Sequence, residues 1–179
     1  MGDANTRKER PAPYRSLELL PIHLYVLVHL KKANVEYAKM IARMTELPLE
    51  MINSAIMDLM EAGLVERDSG SAVKRSKARF KKAFEVHKHH TYYRLSREGE
   101  LFVRSIDEKW LKCYFNAIFP DGWKFIGVLI RSRDFEDACK KAKAKNCAGL
   151  KEELILHRFI TSTGRKTRFF KLFCKFLGL

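Results

Sequence analysis

Residues 35–65, VEYAKMIARMTELPLEMINSAIMDLMEAGLV, decide how the first half of the chain folds. Met40, Ile41 and Met44 recur at helical spacing, with Glu36, Lys39 and Arg43 on the other side, which predicts a short helix over Val35 to Met44. Thr45-Glu46-Leu47 interrupts that pattern as a turn. Pro48 suits the first turn of a helix because it has no N–H to lose there, and a second helix is expected from Pro48 to Ala62. Gly63 stands where a left-handed residue closes a helix, and Leu64-Val65-Glu66-Arg67 then reads as the start of a strand.

Upstream, Leu20, Leu24, Leu27 and Leu30 repeat at helical spacing, so a helix is expected from Ser16 to Lys32, with Lys31 and Lys32 suiting its C-terminal dipole. Residues 1–15 are polar, basic and broken by prolines, and read as a disordered basic arm. Downstream, Thr91-Tyr92-Tyr93-Arg94-Leu95 is aromatic and β-rich and pairs naturally with the strand after Gly63 to make a small wing. Ser96 is a good N-cap, and a single long helix is expected to run from there to Phe119. Its apolar stripe of Phe102, Ile106, Trp110, Cys113 and Ala117, with Leu111, Phe115 and Ile118 beside it, is wide enough to suggest a homodimer seam, the alternative being that it packs against the chain's own aromatic C-terminal part. Pro120-Asp121-Gly122 stops it. Three further helices are expected over Trp123 to Arg131, Phe135 to Lys145 and Leu150 to Phe159, followed by a turn at Thr161 to Gly164 and an aromatic-basic stretch from Arg168 to Phe176. The expected organisation is a domain over 16–119 and a small basic C-terminal domain over 120–179. The fold class is mainly α with a small β wing (α+β).

Ile41-Ala42, the turn before Pro48, and Leu59-Met60-Glu61-Ala62-Gly63-Leu64-Val65 resemble the helix-turn-helix core of MarR- and ArsR-type winged-helix proteins. The run Tyr93-Arg94-Leu95-Ser96-Arg97-Glu98-Gly99 is similar to the closing wing strand and helix start of the same class. Lys88-His89-His90-Thr91-Tyr92-Tyr93 also resembles an archaeal winged-helix family whose function is not assigned. The likeness covers residues 17–105 and implies a winged helix-turn-helix with a recognition helix from Pro48 to Ala62. By that register Glu50, Met51, Asn53, Ser54 and Met57 would face a DNA groove, where Asn can pair with adenine and Ser accepts several partners. The helix departs from the pattern in one respect: it holds Glu50, Asp58 and Glu61 and no Lys or Arg.

Charge reinforces a polyanionic partner, double-stranded DNA before others. The chain carries 35 Lys and Arg against 21 Asp and Glu, a formal net of +14, and that much uncompensated charge repels itself unless an anion binds. It is unevenly spread. Between Glu66 and Arg94, nine basic residues oppose Glu66, Asp68 and Glu85. The dense run Lys74, Arg75, Lys77, Arg79, Lys81 and Lys82, with Lys88 beyond it, is suited to follow a phosphate backbone. A second basic region runs from Cys139 to Lys175, and its Phe159, Phe169, Phe170, Phe173 and Phe176 are expected to form core more than to stack on bases. A winged helix used for protein contact and an RNA-binding module are the alternatives.

Other classes find little support. The apolar stretch Leu17 to Leu30 is broken by Glu18, Pro21, His23 and His29 and is too short to cross a bilayer. The start has no signal-peptide pattern, so a cytoplasmic location is expected. Cys113, Cys139, Cys147 and Cys174 form no CxxC pair and read as free thiols. His87, His89 and His90 lack the cysteines or patterned carboxylates of a metal site, and neither a metal nor a cofactor is expected. No catalytic motif is present, so no catalytic residues are assigned and a non-enzymatic role is expected.

Overall fold

The computed structural model describes residues 17–69 and 90–179. Its centre is α1 (Pro21–Ala33), where His23 and the run from Leu24 to Leu30 are all buried. A helix apolar on every side belongs inside a protein, and α1 is enclosed accordingly. It begins five residues later than the sequence suggests, because proline is tolerated only in a helix's first turn and pushes its predecessor out of the helical region. His23 completes the start. Its Nδ1 accepts the Leu20 N–H at 3.0 Å, so Nε2 carries the proton and donates to Asp58 Oδ2 at 3.0 Å.

A two-residue strand, β1 (Glu36–Tyr37), takes the positions expected to open the next helix. Glu36 therefore lies half-buried, 3.9 Å from the buried His29 ring, instead of pointing outward. The helix proper, α2 (Ala38–Thr45), buries Ala38, Ile41 and Ala42 and stops at Glu46 in the left-handed conformation. Helix α3 (Leu49–Glu61) follows, with Pro48 as its N-cap and Ile52, Ala55, Ile56 and Leu59 turned inward. Gly63 has φ of 72°. It lets Leu64 N–H reach back to the Leu59 carbonyl at 2.9 Å, which closes the helix.

Strands β2 (Val65–Arg67) and β3 (Tyr92–Leu95) pair antiparallel, and β1 pairs on the other side of β3, giving the order β1-β3-β2. Ser96 locks this sheet to the next helix, α4 (Arg97–Arg104). Its hydroxyl donates to the Gly63 carbonyl at 2.6 Å and accepts the Gly99 N–H at 3.0 Å. A Cβ on Gly99 would stand 2.0 Å from the Leu64 carbonyl oxygen, so only glycine lets α4 approach this closely. That close approach is the physical content of the Leu-Ser-x-x-Gly motif.

The single helix expected from Ser96 to Phe119 is two. After α4 the chain breaks at Ser105-Ile106, and α5 (Glu108–Ile118) starts anew with Asp107 Oδ1 accepting the Trp110 N–H at 2.7 Å. Ser and Asp bond to nearby backbone in non-helical conformations and so favour caps over helix interiors. The C-terminal region continues as α6 (Gly122–Arg131), α7 (Phe135–Ala142), α8 (Cys147–Leu156) and α9 (Arg168–Leu177). The α8–α9 connection turns back through one bridge between Ile160 and Lys166, and Thr167 caps α9. The fold class is thus mainly α with a small three-stranded antiparallel sheet.

One apolar core runs from Leu24 to Cys174. Phe169 meets Tyr25 edge-on at 5.4 Å, Phe173 meets Phe115 at 6.1 Å, and Phe159 lies against three rings of α9. The stripe expected to hold two copies together is covered in part within the chain: Phe102, Leu111 and Phe115 are buried, Ile106, Trp110 and Ile118 are half-buried, and Cys113 and Ala117 are exposed, while Tyr114 donates to the Leu19 carbonyl at 2.9 Å. Burial pushes the Tyr114 hydroxyl well above its ordinary pKa and Tyr25 up to about 12. The free-thiol expectation also needs correction. The turn between α7 and α8 brings Cys139 and Cys147 to a Cα separation of 6.2 Å, and they are joined as a disulfide. Cys113 and Cys174 are free, the latter buried with its thiol pushed up to about 12.

Candidate nucleic-acid interface

The outer face of α3 is open. Asn53, Ser54 and Met57 are exposed, as their register requires, whereas Met51 is half-buried and less available. Leu49 and Met57 are 40% and 47% exposed, unusual for large apolar side chains. The helix's acidity is less obstructive than its composition suggests. Asp58 is turned toward buried His23, and the remaining carboxylates, Glu50 and Glu61, sit near opposite ends. Glu50 lies in the first turn, where the helix dipole favours an anion. The middle of the exposed face is uncharged.

Helix α2 packs on α3 and presents Lys39 and Arg43 to solvent. Beyond α3, β2 and β3 form a hairpin in which Glu66 lies opposite Arg94, and the pair bonds at 2.8 Å. Arg94 also lies 3.7 Å from Asp68, so this member of the basic count is neutralised locally while Arg67 remains exposed. Lys74, Arg75, Lys77, Arg79, Lys81, Lys82 and Lys88, with His87 and His89, lie outside the described residues. They belong to the connection between Arg67 and Tyr92, which close the hairpin. His90 stacks on Tyr37 at 4.5 Å. Among the described residues no group of three or more His, Cys, Asp or Glu could hold a metal, and no helix is long and apolar enough to cross a membrane.

The second basic region divides once its partners are visible. Lys166 donates to the Leu129, Ile130 and Ser132 carbonyls and so caps the C-terminus of α6. Lys141 pairs with Asp137, Lys151 with Glu136 and Arg168 with Glu46. Lys140, Lys143, Lys145, Arg158, Arg165, Lys171 and Lys175 are exposed and have no ion pair among the described residues. Phe159, Phe169, Phe170 and Phe173 are buried, and Phe176 lies under Lys32 and against His29, so no row of rings is open for base stacking. Counting charges found the basic regions. It could not say which cations are already paired, because each partner is brought in by tertiary packing.

An α+β chain with an exposed, uncharged helix face beside a small hairpin is the class these observations define. Residues 14–106, just over half of the chain, match a family described as an uncharacterized protein conserved in archaea (DUF2250), and the chain belongs to that family. The comparisons with curated proteins and with solved structures give no match.

Proposed function

We propose that this chain is a non-enzymatic, DNA-binding winged helix-turn-helix protein of the cytoplasm that acts in transcription control. The observation that carries the reading is the outer face of α3, open and uncharged at its centre, on a helix that follows α2 through a tight turn and precedes a hairpin. In this reading Asn53 and Ser54 meet base edges and Met57 packs beside them. Lys39 and Arg43 lie toward the backbone, and the cations from Lys74 to Lys88 grip phosphates. A homodimer is part of this reading: Phe102, Leu111 and Phe115 of the expected seam are buried within the chain, while Cys113 and Ala117 stay exposed. The test is fluorescence anisotropy with duplex DNA across salt concentrations. Changing Lys74, Arg75, Lys77, Arg79, Lys81 and Lys82 together to Ala should flatten the log–log salt slope by roughly five units, near one for each phosphate no longer neutralised. Equal slopes for the two proteins would remove the basic connection from the reading.

A second reading is favoured by one specific observation. Leu49 and Met57 are exposed apolar side chains on a helix without cations, a surface suited to another protein. Loss of DNA binding in neither the basic-segment variant nor an Asn53→Ala variant would move the assignment there.

A further inference from the structure

We propose that the cleft between the α5–α6 turn and the α7–α8 turn binds a nucleotide, a small ligand with phosphates at one end and a flat apolar part at the other. The cleft has a volume of about 620 Å³, within the range of small-molecule sites. Lys124, Lys143 and Lys145 line it, all three exposed and without an ion pair among the described residues. Three ammonium groups around one hollow repel one another, and lysine is a point-charge partner for phosphate. Ile118, Pro120 and Leu150 add apolar surface to the same lining.

Asp121 and Glu153 also reach the cleft, which leaves its lining net positive and supplies acceptors for hydroxyl or amino groups. The Gly149 N–H at the start of α8 is already held by Asn146 Oδ1 at 3.0 Å, so the lysines are the source of the positive charge. Asp121 and Lys143, one from each turn lining the hollow, both stand in the left-handed conformation, with φ of 51° and 52°. The Cys139–Cys147 bridge fixes the ends of the turn that carries Lys143 and Lys145.

Isothermal titration of the full chain with ATP, AMP, adenosine and inorganic phosphate tests the site. Saturable binding of ATP and AMP is expected, at least tenfold tighter than of phosphate or adenosine alone. Lys143→Ala with Lys145→Ala should weaken ATP binding at least tenfold while leaving thermal unfolding unchanged, because both side chains are on the surface. Any cationic protein attracts ATP loosely, so a charge-neutral plug, Ala144→Trp, should also abolish the saturable phase. The six-residue variant of the basic connection should bind ATP as the natural chain does, which keeps this outcome separate from that of DNA binding. Phosphate binding as tightly as ATP, or a plug and a double-lysine variant that both match the natural chain, would overturn the proposal.

Discussion

Helices α3 and α9 make an instructive pair. Both are amphipathic, and each buries one face in the same core, yet what they show to solvent is opposite. Helix α3 offers Asn53, Ser54 and Met57 and no cation, while α9 offers Arg168, Lys171 and Lys175. Helix α3 carries only acidic charges, Glu50, Asp58 and Glu61, while the cationic helix closes the core. The exposed uncharged face and the exposed cations of the described core thus belong to different elements. A change in one should leave the other's contribution intact.

The sharpest way to break that division is at the buried side of α9. Phe173 is fully buried among Phe115, Phe159 and Phe169. Phe173→Ala should cost about 3–5 kcal/mol, as large aromatic truncations in cores do, and urea denaturation would read it as a lower midpoint. A cost under about 1 kcal/mol would mean that α9 is an appendage. Next in size, Asn53→Ala should lower discrimination between DNA sequences by about 1–3 kcal/mol with nonspecific affinity nearly unchanged. Competition binding with specific and scrambled duplexes measures it, and an effect equal on both would assign Asn53 to the phosphate backbone.

Smaller again is Ser96→Ala, which removes the cap joining α4 to the sheet and should cost about 1 kcal/mol. Thermal or urea unfolding gives the number, and an unaltered stability would show that Gly99 packing alone holds the junction. The smallest effect concerns His157, edge-on to Phe119 at 5.5 Å. Burial, opposed by Glu153 and Glu18, holds its pKa below the ordinary 6.5. The folded state therefore favours the neutral ring. Its contribution is complete above pH 6.5 and is lost as pH falls through the lowered value. His157→Gln should flatten the decline of stability on the acid side relative to the natural chain, as unfolding curves across pH will show. An unchanged difference between the two proteins at every pH would contradict the shift.

What could be read from residues alone was the locally determined part. Helix α3, its end at Gly63, the pairing of β2 with β3 and the cap at Ser96 each follow from periodicity or from one residue's conformational preference. The strand β1 could not be seen, because Glu36 and Tyr37 become a strand only through pairing with Tyr93 and Tyr92, far along the chain. The break before α5 was hidden by its own stripe. Phe102, Ile106 and Trp110 keep helical spacing across it, and only Ser105 and Asp107 betray the new start. For the candidate interface, the outward register of Asn53, Ser54 and Met57 was legible. The tethering of Asp58 by His23, of Arg94 by Glu66 and of Lys166 by three carbonyls was not, since each joins distant segments.

The hairpin closes at its open end with Arg67 opposite Tyr93 and the Asp68 N–H bonded to the Tyr92 carbonyl at 2.9 Å. Glu66 opposite Arg94 and Val65 opposite Leu95 complete the described ladder. A slip of one residue in this pairing would turn Val65 from the core to solvent, so the ladder and the packing of the helices beneath it enforce the same register.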